Sequence, residues 1–336
     1  MNKLTDCLTK KKSSCIPIWF MRQAGRYLPE FQQIRKKNPN FINLCLNSNL
    51  SSEITMQPIK RYDLDAAIIF SDILMVPYAL KQKVSFIKDE GPILSSFNIE
   101  NFLETNEKDF TNKLNPIYDS IKKTRKDLND NKSLISFVGS PWTLIVYMLG
   151  LKKEKNILDL EILNSKKKEI KIILEKINYF LTSHIQNQIN AGADVVQLFD
   201  SWAGLIPKKD LNDYCYKPNL KIVNFCKEKK IPVICLPKGL NENYLEFLKI
   251  VNPDGLNIDF NIDPHWARKH LDNVTIQGGM DPKILLQGNE KIFEEAEKYI
   301  KIFKGSPYIF NLGHGLLPQT NPDRVKELVN FIRNYE

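Results

Sequence analysis

The stretch Asp194-Val195-Val196-Gln197-Leu198-Phe199 is a short apolar run that stops abruptly on Asp200-Ser201-Trp202. Its length and β-branched content read as a buried strand, and the polar residues behind it as a loop at the strand's C-terminal end. The same construction recurs along the chain. Candidate strands Ile16–Phe20, Ala66–Phe70 and Ser133–Val138 run into Met21-Arg22-Gln23-Ala24-Gly25-Arg26, Ser71-Asp72 and Gly139-Ser140-Pro141-Trp142. Pro232–Leu236, Gly255–Ile258, Val274–Gln277 and Tyr308–Asn311 run into Pro237-Lys238-Gly239, Asp259-Phe260, Gly278-Gly279-Met280-Asp281 and Gly313-His314-Gly315.

Amphipathic helical patterns lie between them: Lys113–Asn129, Lys166–Ala191, Lys209–Lys229 with a break or kink at Pro218, Asn241–Val251, Phe293–Phe303 and Arg324–Tyr335. Strands alternating with helices in this way predict an α/β fold, a single-domain (β/α)8 TIM barrel over residues 1–336; an open doubly wound sheet is the main rival. Lys81–Asn112 fits neither pattern, and Gly91-Pro92 within it marks a hairpin or a long loop. Polar and glycine-rich residues gather at the C-terminal ends of the strands, the face where barrel enzymes build their sites. The chain reads as an enzyme.

Composition narrows the class. The 336 residues, 43% of them hydrophobic, can bury a large core. No apolar run approaches the ~20 residues needed to span a bilayer. Met1–Ser14 lacks the apolar centre of a secretory signal, so a cytoplasmic protein with no membrane partner is expected. The six cysteines are scattered without a CxxC pair and read as buried reduced thiols, not as a disulfide framework or a metal site. The formal charge of +9 is compatible with a nucleic-acid partner or an acidic small molecule. Lysines spread along helical segments such as Lys166–Lys176 form no basic stripe, so no nucleic acid is expected. A basic, non-enzymatic nucleic-acid binder is the alternative from another class.

Three arginines point to the anionic small molecule. In Pro17-Ile18-Trp19-Phe20-Met21-Arg22-Gln23-Ala24-Gly25-Arg26-Tyr27-Leu28-Pro29-Glu30 an apolar run leads into Arg22 and Arg26, and Arg35 follows. Gly25 permits a positive φ or a close approach of backbone to a ligand. Guanidinium groups bind carboxylate or phosphate bidentately. A single arginine here would be a surface ion pair; three beside a glycine loop after a buried strand suit an anion.

This segment resembles the N-terminal signature of the uroporphyrinogen decarboxylase family, of the haem pathway, matching P-x-W-x-M-R-Q-A-G-R at every fixed position. Ile69-Phe70-Ser71-Asp72-Ile73 is similar to the family's Phe-Ser-Asp-Ile, whose aspartate accepts hydrogen bonds from the substrate's pyrrole N–H groups. Taken alone, Asp72 suits a helix N-cap equally well. Pro141-Trp142-Thr143-Leu144 with Tyr147 resembles a second signature, G-F-x-x-x-P-W-T-L-x-x-Y, although Ser136 stands at its leading glycine. Ser201 occupies the place of a carboxylate-binding serine or threonine, and His314 lies between two glycines that aim it at something. His265 and His270 fall in a helical pattern and read as structural or solvated.

The resemblance implies removal of the four acetate carboxyls of uroporphyrinogen III as CO2, giving coproporphyrinogen III, with no cofactor and no metal. It implies Asp72 as the catalytic residue and Arg22, Gln23, Ala24, Gly25, Arg26 and Arg35 as substrate contacts, joined by Tyr147, Ser201 and His314. It also implies a homodimer. A corrinoid-dependent methyltransferase of the same superfamily is the enzymatic alternative; it would need zinc held by His and Cys, and no His-x-Cys occurs.

Overall fold

The computed structural model describes residues 2–11, 15–87, 91–153 and 157–335. Seven parallel strands curve into one sheet: β1 (Ala66–Ile68), β2 (Ser133–Gly139), β3 (Val195–Asp200), β4 (Val233–Pro237), β5 (Gly255–Ile258), β6 (Thr275–Gly278) and β7 (Tyr308–Ile309), neighbours in that order. The eighth member is the extended stretch around Ile18. It meets β7 through the single parallel bridge Ile18–Phe310, and Phe310 N donates to Pro17 O at 2.8 Å. On its other side Asp65 N donates to Ile18 O at 2.9 Å. Pro17 has no N–H to offer a ladder, so the expected strand Ile16–Phe20 closes the barrel with a few bonds only.

A carboxylate completes that seam. Asp65 is buried, and its Oδ2 accepts the Ile18 N–H at 2.7 Å while also taking Arg333 Nη2; Lys3 approaches Oδ1 at 3.5 Å. The C-terminal helix thereby grips the first extended stretch through one aspartate.

Outer helices follow the strands: Ser48–Arg61, Glu107–Asp127, Lys167–Asn190, Lys217–Glu228, Tyr244–Val251, Pro264–His270, Asn289–Phe303 and Pro322–Asn334. The expected break at Pro218 is present. A π-helical turn over Asn212–Tyr216 leads into it, and Pro218 sits in the first turn of the next helix, where its missing N–H costs nothing. Val84–Ile87 and Gly91–Leu94 form the expected antiparallel hairpin. No helix among the described residues is long and apolar enough to cross a membrane.

Alternation along the strands turns Ile68, Ile135, Val195, Ile234, Leu236 and Ile309 into the barrel, where Leu4 and Leu8 of the helix Lys3–Thr9 pack against them from the N-terminal end. Above this layer lies a buried polar one. Trp19 Nε1 donates to Gln277 Oε1 at 2.8 Å, and Gln277 Nε2 reaches Asn257 Oδ1 at 2.5 Å and Gln197 Oε1 at 3.1 Å. The closed lower end leaves only the C-terminal mouth open to a ligand.

Asp65→Ala removes the acceptor for Ile18 N and leaves the Arg333 guanidinium without its buried partner. We expect a loss of ~3–5 kcal/mol in urea unfolding, which equilibrium denaturation of the two proteins measures.

Candidate active site

The loop after the first extended stretch is held from both sides before any ligand arrives. Gln23 is fully buried; its Oε1 accepts Phe20 N at 3.0 Å and its Nε2 donates to Ala66 O at 3.0 Å. Met21 N donates to Asn311 Oδ1 at 3.1 Å, and Leu316 N to Met21 O at 2.9 Å, which ties this loop to the one after β7. The left-handed residue of the turn is Arg22, with φ +60°, and not Gly25. Gly25 serves close approach instead, since a Cβ there would lie 2.8 Å from Arg22 O. A non-glycine residue in this conformation is strained, and such strain persists where the surroundings over-determine it.

The Arg22 stem crosses Gly315, where a Cβ would come within 2.5 Å of Arg22 Cδ. The side chain is accessible to solvent but stands inside the cleft. Desolvation lowers its pKa, and the Asp72 charge opposes that shift. Arg26 lies close enough to repel it.

Asp72 follows β1 and does two jobs. Its Oδ1 accepts Leu74 N at 2.8 Å in a local turn ahead of the helix Met75–Ala79, but the N-cap of that helix is Leu74 and no side chain caps it, so Asp72 is not the helix cap that the sequence also suggested. The carboxylate also faces Arg22 and Tyr147 across the cleft. Burial pushes its pKa up to about 6; the Leu74 N–H and the Arg22 charge pull the other way without compensating. Arg22 and Asp72 feel one another but form no ion pair within 4.0 Å.

Tyr147 stands on the helix Pro141–Met148, its ring edge-on to Trp202 at 6.0 Å. Burial raises its pKa, so the hydroxyl keeps its proton. Ser201 and Trp202 are set by a network beneath them. Thr143 Oγ1 donates to Asp200 Oδ1 at 2.8 Å and accepts Trp202 N at 3.3 Å, while Trp142 Nε1 donates to Trp202 O at 3.0 Å. Asn219 and Cys215 donate to the other oxygen of the buried Asp200. The P-W-T run thus fixes the loop after β3, and the π-helical turn brings Cys215 and Asn219 within reach.

His314 joins the same cleft. Burial, followed by the charges of Arg22 and Lys238, depresses its pKa to about 4, so at neutral pH it offers a neutral imidazole. Arg35 lies further out. Its Nη1 donates to Asn38 O at 2.6 Å and its guanidinium sits 5.6 Å from the Phe41 ring centre, on an aromatic wall that includes Phe70. Arg22, Asp72, Tyr147 and His314 are therefore brought together, with Arg26 beside them. Ala24 and Gly25 shape the turn, Gln23 is committed to backbone groups, and Arg35 forms the rim.

Sequence reading passed over Lys238 and Trp202, both at strand ends. Their signal was position alone: each directly follows a residue that ends, or lies one beyond, an apolar run. Lys152 also reaches this rim, 4.6 Å from the Trp202 ring centre. Hollows on the outside of the barrel, one lined by Phe293, Phe331 and Tyr335 and one by Met56, Lys60 and Lys123, carry no comparable set of groups. Five cysteines are buried and Cys15 is half-buried. Among the described residues no three His, Cys, Asp or Glu side chains gather closely enough to hold a metal ion.

Comparison with known proteins identifies the family. A family model described as uroporphyrinogen decarboxylase (URO-D) matches residues 1–335. A protein of Rickettsia felis named uroporphyrinogen decarboxylase is 43% identical over 335 residues, covering 97% of this chain and 95% of its own. One of the same name from Orientia tsutsugamushi is 40% identical over 342 residues, covering 100% and 99%. Among solved structures, a methyltransferase from Methanosarcina mazei superposes with a TM-score of 0.81 over 99% of this chain and 98% of its own, at 14% identity. That likeness shows the fold alone.

Two substitutions test the geometry. In Gly315→Ala the new methyl meets the Arg22 side chain first, at its Cδ, Cγ and Nε, so the thermal midpoint should hold while kcat/KM falls ~10- to 100-fold through displacement of the guanidinium. Asp72→Asn keeps the acceptor for Leu74 N. The folded-state pKa of about 6 exceeds the ordinary 3.8, so the folded protein binds this proton more tightly, and ionisation costs it stability as pH rises from 4 through 6. The variant should therefore be more stable than the parent at pH 8, by no more than about 3 kcal/mol, and the gain should vanish near pH 4; thermal melts across that range check it.

Proposed function

This chain belongs to the uroporphyrinogen decarboxylase family, and from that premise we propose that the cleft of Arg22, Asp72, Tyr147 and His314 is where it strips acetate carboxyls from uroporphyrinogen. The family's reaction is a decarboxylation in porphyrin biosynthesis. What supports assigning it to this cleft is the unpaired Asp72 facing the unpaired Arg22, within the two motifs that carry the family likeness.

Each turnover exchanges CO2 for a proton: a ring-borne CH2–COO⁻ plus H⁺ becomes CH3 plus CO2. Breaking the C–COO⁻ bond leaves an electron pair on carbon, which needs a sink. The pyrrole supplies one itself. Protonation at the ring α-carbon makes a cationic ring; loss of CO2 sends the electron pair into it and leaves an exocyclic methylene. A second protonation, at the methylene, with loss of the α-proton restores the aromatic ring and gives the methyl group. No cofactor is required in this scheme.

Asp72 accepts the pyrrole N–H groups and opposes the positive charge that develops on the ring. Charge-assisted hydrogen bonds of this kind are worth ~1.5–3 kcal/mol each, and a fixed anion in a cleft emptied of water by the bulky substrate acts at full strength. Arg22 and Arg26 take acetate or propionate carboxylates as bidentate forks, with Arg35 at the rim. Tyr147 and Ser201 donate from their hydroxyls, and His314 donates from its neutral ring. Ala24 and Gly25 bring the backbone of the turn against the ligand, and Gln23 holds that turn in place. In this reading the whole chain is one barrel domain that works in the cytoplasm as a homodimer, without nucleic-acid or membrane partners.

Anaerobic incubation with uroporphyrinogen should yield the four-carboxyl product, and absence of that product sinks the reading. With wild-type protein, kcat/KM should rise with pH through a midpoint near 6, where Asp72 gains its charge in the free protein. A profile flat from pH 5 to 8 would argue against Asp72 as the working anion.

A further inference from the structure

Alternation along β4 turns Ile234 and Leu236 into the barrel, and the next residue of that face is Lys238. Its backbone is fixed. Lys238 N donates to Asp200 O at 3.1 Å, and its carbonyl accepts Gly204 N at 2.9 Å. Gly204 and Gly239 are pressed together there; a Cβ on Gly204 would lie 2.5 Å from Gly239 O. The residue is thus anchored beside the loop that carries Ser201.

The stretch around Ile18, the seven strands and the closing bridge form a ring in which β4 lies on the side opposite the first stretch and β7. Yet the Lys238 charge acts on Arg22 and on His314, which belong to the loops after those two members. Charges rooted on opposite walls of the ring thus act on one another at its open end.

The ammonium has nothing to bind there. It is half-buried and, among the described residues, makes no hydrogen bond and no ion pair within 4.0 Å. The carboxylate whose charge acts on it, Asp259, is fully buried and already committed: Oδ2 accepts Gly239 N at 2.7 Å and Tyr244 Oη at 3.1 Å, and Oδ1 accepts Asn261 N at 2.9 Å. Withdrawing a cation from water without a partner is unfavourable. An arriving anion reverses that penalty. Burial lowers the Lys238 pKa, in keeping with this setting.

We propose that Lys238 binds a carboxylate of the substrate from the wall of the cleft opposite Arg22. The inference rests on the functional reading above, in which the ligand carries carboxylates around its whole rim and so presents them to both walls at once. Lys238 would hold the far side of the macrocycle while Arg22 and Arg26 hold the near side, and Asp72 meets the ring between them.

Steady-state kinetics of Lys238→Met and Lys238→Arg with uroporphyrinogen test it. Methionine keeps the length of the stem and loses the charge. KM should rise about 10- to 100-fold in Lys238→Met, with kcat within about threefold of the parent, a thermal midpoint no lower than the parent's and a flatter dependence of KM on salt. Lys238→Arg should recover most of the affinity. If Lys238→Met does not fold, Lys238→Gln and quenching of uroporphyrin fluorescence on binding give the same comparison without turnover. An unchanged KM in the neutral variants overturns the proposal, and so does a fall in kcat at constant KM. Wild-type protein that makes no product sinks the functional reading; active wild type with an indifferent Lys238→Met sinks this inference alone.

Discussion

Asp72 and Arg22 carry opposite charges into one cleft and are kept from pairing. That separation is the constraint on which the rest of the site depends. A direct ion pair would satisfy both groups and leave the cleft with little to offer a polyanionic, N–H-bearing ligand. Instead Asp72 spends one oxygen on Leu74 N, and its carboxylate stays desolvated enough to hold its proton up to about pH 6. Arg22 is turned aside by its own left-handed backbone and by the groove over Gly315. Neither charge is neutralised by the other, and the desolvated carboxylate carries a cost in stability that a ligand bearing complementary groups offsets.

Such an arrangement survives only on a rigid support. The loop carrying Arg22 is clamped by the buried Gln23 and by backbone bonds to the loop after β7, so two ends of the chain meet at the site. The loop carrying Ser201 is clamped by Trp142 and Thr143 over the buried Asp200. Barrel closure matters for the same reason. The first extended stretch has few ladder bonds because of Pro17, and Asp65 with Arg333 makes up the deficit. Stability at the closed seam and geometry at the open mouth are therefore linked through one short segment of chain.

Much of this was legible in the sequence because it is local. Apolar runs such as Val195–Phe199 and Gly255–Ile258 mark strands to within a residue or so of their true ends, and the polar residues behind them mark the mouth. Asp72 was readable as a helix cap or as a ligand group; its side chain instead closes a turn to Leu74 N one step ahead of the helix, whose N-cap is Leu74 itself. What was not legible is non-local. Gln23 looks like part of an anion loop, but its side chain bonds backbone groups of its own strand and of β1. Gly25 invites a positive φ that Arg22 takes instead. Lys238 resembles any solvated lysine until the ring of strands sets it opposite Arg22. The break at Pro218 was legible, but not its form, a π-helical turn that leads into a new α-helix.

The central claim, that Asp72 is a desolvated carboxylate held clear of Arg22 and ready for the ligand, is tested most directly by titrating that one group. Isotope-edited infrared difference spectroscopy of the carboxylate band, assigned by its disappearance in Asp72→Asn, would follow its ionisation with pH in the free protein and with coproporphyrinogen bound. The account predicts a midpoint near 6 in the free protein, moving to lower pH when pyrrole N–H groups bind the ionised form. A midpoint at the ordinary value near 4 that the ligand leaves unmoved would contradict it.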